Sequence, residues 1–335
     1  MNELISIVVP MYFEEEVAQE CYNRLKSVMD NHKINYEFIF VNDGSTDKTI
    51  DILNEISKND HRAKIVNFAR NFGHQNAVTA GIDFAVGDAI VIIDADLQDP
   101  PELIPQLIAK WNDGYDVVYA KRKVRKGETF FKLLTAKTFY RFLNYMSDIN
   151  IPKDTGDFRI IDKKVADVFR NMSEKNRFIR GMISWIGFRQ SYIEYERDER
   201  FAGETKYPLK KMIKFASDGI IAFSSKPLRL VTNFGLFTVL ISIGLLLYSI
   251  IVKLFGRPIE SGWTSLMVAI SFFSGIQLLG LGIIGQYIAR IYDESKNRPI
   301  YIVKETKNID ELSNYQVDKN QKTLNEAMEY SIKKR

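Results

Sequence analysis

Short runs of apolar, β-branched residues alternate with longer amphipathic stretches from Leu4 to about Ala120, a pattern that predicts strands joined by crossover helices. The predicted strands are Ile5–Val9, Glu37–Val41, Lys64–Phe68, Ala89–Asp94 and Asp116–Ala120. Between them Glu15–Met29, Asp47–Ser57, Gln75–Ala85 and Pro101–Trp111 read as helices. Pro101 suits a first helical turn, where its missing N–H would have been unpaired anyway. An α/β fold with a mostly parallel sheet is expected. The polar strand ends Pro10–Glu14, Asn42–Asp47 and Asp94–Asp99 fall where strands of such sheets deliver ligand-binding residues.

The pattern changes in the last third of the chain. Val231–Val252 and Ser261–Ala289 contain no charged residue, and each exceeds the roughly 20 apolar residues needed to cross a hydrocarbon core. Two transmembrane helices are expected; a pair of buried core helices is the alternative. The connection Lys253–Gly262 is short and carries Lys253, Arg257 and Glu260. Lys206, Lys210, Lys211, Lys214, Lys226 and Arg229 precede the first run, and Arg290, Lys296 and Arg298 follow the second, which puts both flanks in the cytoplasm. Tyr207–Phe223 sets Leu209, Met212, Ile213, Ala216, Ile220 and Ile221 near one helical face, with lysines mainly on the other. Such a helix lies in a lipid interface or packs on the globular part. The polar tail after Ile302 is expected to be a mobile segment or short helix. Small residues such as Gly275, Gly280, Gly282 and Gly285 permit close helix packing between subunits of a homo-oligomer. The boundaries that follow are a globular domain over 1–205, an amphipathic helix over 206–228, a two-helix hairpin over 229–290 and a C-terminal segment over 291–335.

Composition adds mainly exclusions. With 335 residues, two units or one elaborated unit are expected. A net charge of +4 is mild for this length and implies no nucleic-acid partner. The single cysteine, Cys21, excludes an internal disulfide framework and a cysteine-based zinc site. The histidines His32, His61 and His74 are scattered and show no metal-ligand spacing. The N-terminus lacks a signal-peptide pattern and is expected to stay in the cytoplasm.

The stretch Ile93-Asp94-Ala95-Asp96-Leu97-Gln98-Asp99-Pro100-Pro101 ends a strand in alternating carboxylates. Asp94 and Asp96, with Gln98 as a third oxygen ligand, suit Mg²⁺ or Mn²⁺, which bind few protein oxygens and complete their shells with water and phosphate. A cation there would neutralise a departing diphosphate. The same aspartates also suit a solvated turn capping the helix at Pro101. Tyr12 can stack on a base, and Asp43 or Glu14 can accept hydrogen bonds from base or ribose. Gly44 permits a turn and Asp47 can cap the following helix.

The ordered set VVPMYFEEE, FVNDGSTDKT, ARNFGHQ, IIDADLQDPPE, TGDFRI, RFIRGMISWIGF, ERFAGETKY and, after the apolar runs, GQYIARIYDESKNRPIY resembles the polyisoprenyl-phosphate glycosyltransferases of the GT-A, family-two type. Dolichyl-phosphate mannose synthase and the bactoprenol glucosyltransferases are members. The likeness runs from about Ile5 to Tyr301. It implies a Rossmann-like GT-A domain and inverting, metal-dependent transfer of a hexose from a nucleotide-sugar to a polyisoprenyl phosphate at the membrane. The bactoprenol branch of the resemblance suggests UDP-glucose as the donor, with other hexoses or N-acetylhexosamines open. The resemblance matches Pro10, Tyr12, Glu14, Val41 and Asp43 to nucleotide-binding positions, and Asp94, Ala95, Asp96 and Gln98 to the metal and diphosphate site. It matches Arg122 to an arginine near the phosphates, Arg200 and Lys206 to a basic pair closing on the nucleotide, and Asp157 to a catalytic-site aspartate. Lys132 and Thr135 match acceptor-phosphate contacts loosely, and Phe13 departs from the family's usual Asn.

Other readings of these residues stay open. Arg122, Arg125 and Lys126 also fit a solvated basic loop, Arg200 and Lys206 lipid-headgroup contacts, Asp157 a structural ion pair with an arginine, and Asn71–Gln75 a plain turn into a helix. The competing functions are a processive polysaccharide synthase, whose Gln-x-x-Arg-Trp motif is missing, a non-catalytic nucleotide-binding membrane scaffold, and a glycoside hydrolase.

Overall fold

The computed structural model describes residues 3–123, 155–196, 224–254 and 262–309. They divide into two compact units. The first contains a mixed sheet of eight strands; the second contains two long helices.

In the first unit, β1 (Leu4–Met11), β2 (Asn35–Asn42), β3 (Ala63–Phe68) and β4 (Ala89–Ile92) run parallel in the spatial order β4-β1-β2-β3. Their crossovers are α1 (Ala18–Asn31), α2 (Thr49–Asn59) and α3 (His74–Phe84). Each predicted helix in this region lies within three residues of its observed ends. The strands are almost wholly buried, Ile7, Val8, Phe38, Ile39 and Val91 being at 0% exposure, because helices cover both faces of a parallel sheet. From β1 the chain steps outward to β2 and β3, then returns past β1 to place β4 on its other side. That reversal opens a crevice at the carboxyl ends of β1 and β4.

After a 3₁₀ turn (Pro101–Leu103) and α4 (Ile104–Asn112), β5 (Val117–Arg122) does not join β4 directly. Instead β6 (Thr155–Asp162) lies between them, antiparallel to both. β6 leads into α5 (Lys163–Arg170), α6 (Ile179–Ile186) and β7 (Gln190–Tyr195), which pairs parallel with β5 at the sheet edge. The antiparallel strand brings its beginning beside the end of β4. Ile92 faces Arg159 at the end of that pairing, and just beyond it the carboxylates of Asp94 and Asp157 come within 4.8 Å of each other.

The first residues after Ile302 depart from the expected mobile segment or short helix, and 310–335 lie outside the described residues. Val303–Lys307 is a strand, β8, antiparallel to β3 on the opposite edge. Asn308 holds its far end, donating from Nδ2 to the carbonyls of Ser57 (2.6 Å) and Ala63 (3.0 Å). Just before it, buried Tyr301 stacks on Phe68 and donates its hydroxyl to Asp83 Oδ2 at 2.9 Å.

Lost hydration pushes the Asp83 carboxyl up to about 6, against the Tyr301 hydroxyl, Arg177 and Arg170, which favour the anion. A carboxyl raised in the folded state contributes stability below its unfolded value and loses it as pH rises through the folded one. Asp83→Asn keeps an oxygen for Tyr301 and removes the charge, so it is expected to stabilise the protein by roughly 1–2 kcal/mol at pH 8. The gain shrinks by pH 5, read from thermal midpoints at both values. A gain larger at pH 5 would contradict the assignment.

The second unit holds α7 (Lys226–Leu254) and α8 (Trp263–Ser295). Both are long and apolar enough to cross a membrane, over Lys226–Leu245 and Val268–Ser295. Buried core helices would hide their apolar side chains, yet Leu236, Leu240, Tyr248, Leu278 and Leu279 are largely exposed. At Gly280 an added Cβ would lie 3.0 Å from a Val231 methyl, so the glycine admits close approach of the two helices. The predicted amphipathic helix up to Phe223, most of the Lys253–Gly262 loop, and Arg125, Lys126, Lys132, Thr135, Arg200 and Lys206 lie outside the described residues.

Candidate active site

β4 ends at Ile92, two residues earlier than predicted, which releases Asp94 from the ladder. The following loop turns through Leu97, whose φ of 55° lies in the left-handed region. Ala95, Leu97, Gln98 and Asp99 are buried along it. Asp94 Oδ1 is buried and, among the described residues, has no hydrogen-bond partner; His74 Nε2 lies 3.6 Å from it. Burial, with Asp157, Asp99 and Asp96 adding repulsion, pushes the Asp94 carboxyl up to about 6 despite His74.

His74 opens α3 directly after Gly73, whose φ of 96° admits the sharp entry. Its Nε2 lies 3.1 Å from Asp157 Oδ2. Desolvation alone would lower the imidazole, but the bond to Asp157 and the charge of Asp94 outweigh it and raise it to about 9. Asp157 Oδ1 accepts from Arg180 Nε at 2.7 Å and from Arg159 Nη2 at 3.5 Å. Burial would raise this carboxyl; Arg180 and His74 overcome it and hold it well below the usual range. Arg159 is fully buried beneath, donating also to the carbonyls of Gly156 (2.8 Å) and Asp157 (3.1 Å). Asp157 is thus a fixed anion, and its arginine pairing is real.

Ligand atoms of His74, Asp94 and Asp157 lie within 4.8 Å of one another and form a group able to hold a cation. The scattered histidines show no metal-ligand spacing in the sequence, and His74 reaches the acids through the fold. Asp96 stands outside this group, and its Oδ1 accepts the Gln98 amide at 3.2 Å. The orphaned Asp94 oxygen and the surplus of carboxylates fit a divalent cation.

A second cluster adjoins the first through Gly156. Arg122, at the end of β5, donates from Nη2 to Asp99 Oδ2 at 3.3 Å and from Nε to the Tyr195 hydroxyl at 3.1 Å, while that hydroxyl donates to Asp99 Oδ1. An added Cβ at Gly156 would lie 2.8 Å from Arg122 Nη2, so a larger residue there would displace the guanidinium from its present place. Arg122 is held in place, which a freely solvated basic residue is not.

Along the β1 and β2 ends, Pro10 and Val41 are buried partners in register. Tyr12 and Phe13 are about half exposed, with ring centroids 4.4 Å apart. Phe13 sits at φ 57°, a conformation that Asn tolerates better, which gives a physical reason for the residue from which this chain departs. The Glu14 amide donates to Thr49 Oγ1 at 2.9 Å, and Asp47 Oδ1 accepts the Thr49 amide at 3.1 Å. Asp43 is buried and accepts from Phe72 N (2.6 Å), Gly73 N (2.9 Å) and Asn71 Nδ2 (3.0 Å). Asn71–Gly73 is therefore more than a plain turn: it is docked on Asp43. His74, Arg159, Arg180 and Tyr195 escaped sequence reasoning, since each reaches the site only through strand pairing or helix packing.

Residues 6–169 match the family described as glycosyl transferase family 2. The chain is similar to the uncharacterized glycosyltransferase YkcC of Bacillus subtilis, 59% identical over 308 residues covering 91% of this chain and 94% of the relative. It is 42% identical to the bactoprenol glucosyl transferase of Shigella phage SfV over 304 residues, 90% of this chain and 99% of that one. The solved structure of glucosyl-3-phosphoglycerate synthase from Mycobacterium tuberculosis with phosphoglyceric acid overlaps 65% of this chain and 78% of its own, at 20% identity and a TM-score of 0.43.

Proposed function

The chain belongs to glycosyl transferase family 2, and on that footing we propose that it transfers a hexose from a nucleotide-sugar to a polyprenyl phosphate at a membrane surface. The observation that carries this reading is the similarity along nine-tenths of the chain to a protein named for glucosyl transfer to bactoprenol. UDP-glucose is the donor we propose on the same ground. The apolar pair α7 and α8 supports residence in the bilayer where such an acceptor is dissolved. The basic flanks, Lys226, Arg229, Arg290 and Arg298 among them, favour a cytoplasmic crevice and cytoplasmic termini. We propose residues 1–205, completed by the returning strand β8, as the catalytic domain, 206–228 as an interfacial helix and 229–290 as the hairpin.

The proposed roles rest on the family resemblance, supported for the described residues by their geometry. Pro10, Tyr12, Glu14, Val41 and Asp43 frame the nucleoside at the β1 and β2 ends. Arg122 offers its guanidinium to the phosphates, oriented by Asp99 and Tyr195. Asp94 is the ligand shared by the expected set with Asp96 and Gln98 and by the observed group with His74 and Asp157, so the cation is assigned to it. Mg²⁺ or Mn²⁺ bound there would neutralise charge on the leaving diphosphate. Arg200 and Lys206 are proposed to close on the nucleotide. A phosphate monoester has a second pKa near about 6, so the acceptor is already anionic at neutral pH and needs no general base. A lipid phosphate oxygen bonds to the anomeric carbon as the bond to the nucleoside diphosphate breaks, with inversion and no proton transfer. Asp157, too acidic to accept a proton, instead stabilises the positive charge that develops on the sugar.

The test is incubation of detergent-purified protein with a panel of nucleotide-sugars, Mg²⁺ or Mn²⁺ and polyprenyl phosphate. A lipid carrying one hexose, formed best from UDP-glucose, is expected. Long polymer would favour a synthase, free sugar a hydrolase, and no turnover with any donor a scaffold.

A further inference from the structure

We propose that Tyr301, outside the crevice, is a positioning residue that braces the segment from β3 to α3 and so sets donor affinity; this rests on the crevice being the nucleotide-sugar site. That segment delivers two things to the crevice. The amides of Phe72 and Gly73 fix Asp43, and His74, the first residue of α3, reaches Asp94 and Asp157. Only Ala69–Gly73 separate β3 from α3, so a shift at either flank passes directly into the loop.

Tyr301 holds both flanks. Its ring stacks on Phe68, the last residue of β3, with centroids 5.1 Å apart and planes 9° from parallel. Phe68 in turn meets the Phe72 ring edge-on at 5.7 Å, and Arg70 lies over the Phe72 ring at 4.2 Å. The Tyr301 hydroxyl donates to Asp83, in the last turn of α3. The neighbouring Ile302 carbonyl accepts the Ala69 amide at 3.0 Å, where the loop begins. One buried side chain therefore touches the end of β3 and the far end of α3, and through Phe68 reaches the residue whose amide Asp43 binds. In sequence, Tyr301 stands six residues beyond the end of α8. β8 and Asn308 anchor the following residues independently, so removing the ring leaves the segment attached.

The experiment compares full-length wild type with Tyr301→Leu and Tyr301→Phe in detergent, reading UDP affinity by calorimetry, KM for donor and acceptor, kcat and thermal midpoint. Tyr301→Leu is expected to weaken UDP binding and raise donor KM about tenfold, with acceptor KM kept within about twofold. Tyr301→Phe, which keeps the stack, should recover most of that loss. Should Tyr301→Leu fail to fold, Phe68→Leu removes the middle ring and is expected to give the same KM split. Unchanged UDP affinity in the folded variants, or a fall in kcat alone that tracks a lower thermal midpoint, would overturn the brace. Wild type that binds UDP but glycosylates no polyprenyl phosphate would overturn the proposed acceptor and leave the brace standing. Wild type without affinity for UDP or for any other nucleoside diphosphate would overturn both.

Discussion

Asp157→Asn is expected to lower kcat for hexose transfer by about two to three orders of magnitude while changing donor KM little. The substitution is nearly isosteric and removes one charge. In the native protein that charge is opposed by Arg180 at 2.7 Å, by Arg159, which is wholly buried, and by His74 at 3.1 Å. Loss of a fixed anion beside the sugar withdraws stabilisation present only as positive charge develops, so kcat falls and ground-state binding does not. Removing one partner of a buried ion pair also costs stability, about 3 kcal/mol or somewhat less here because Asn still accepts a hydrogen bond. The two effects separate by temperature: assayed well below its lowered thermal midpoint, the variant remains folded and remains slow. Near-normal kcat would make the aspartate an anchor for Arg159 and Arg180 only.

Gly44→Ala is expected to destabilise the catalytic unit by about 3 kcal/mol, lowering the thermal midpoint by roughly 6–12 °C. Gly44 has φ 68°, and a Cβ there would lie 2.3 Å from the Arg70 carbonyl carbon and 2.6 Å from the Asn71 nitrogen. Both are backbone atoms, so no rotamer change relieves the clash. The loop displaced is the one that Asp43 binds, and UDP affinity is expected to fall with stability. A variant with wild-type midpoint and affinity would mean that this loop moves freely, against the packing described.

The pattern of apolar runs carried the first half of the fold because β1 to β4 are buried on both faces and spell that burial in Ile, Val and Phe. β6 was illegible for the opposite reason. Thr155–Asp162 is a central strand that buries Asp157 and Arg159, so its polar residues hide its periodicity. β7 and β8 are edge strands with charged or polar outward faces, and QSYIEY and VKETK look like loop. The apolar runs of α7 and α8 were plain because length without charge is a one-dimensional signal. Within the site, Asp94 was conspicuous beside Asp96, whereas His74 sat in a stretch that reads as a turn. Its meaning depends on β6 lying next to β4, a long-range pairing that no local spacing encodes.

The chemistry proposed for this crevice is tested most directly by following oxygen. Polyprenyl phosphate labelled with ¹⁸O at its terminal oxygens is turned over with UDP-glucose and Mn²⁺, and the lipid product and released UDP are weighed by mass spectrometry. If the lipid phosphate itself attacks the anomeric carbon, every labelled oxygen stays in the glycosylated lipid, one of them bridging to the sugar, and UDP carries none. Label in UDP, or glucose released into water with the lipid unglycosylated, would contradict it.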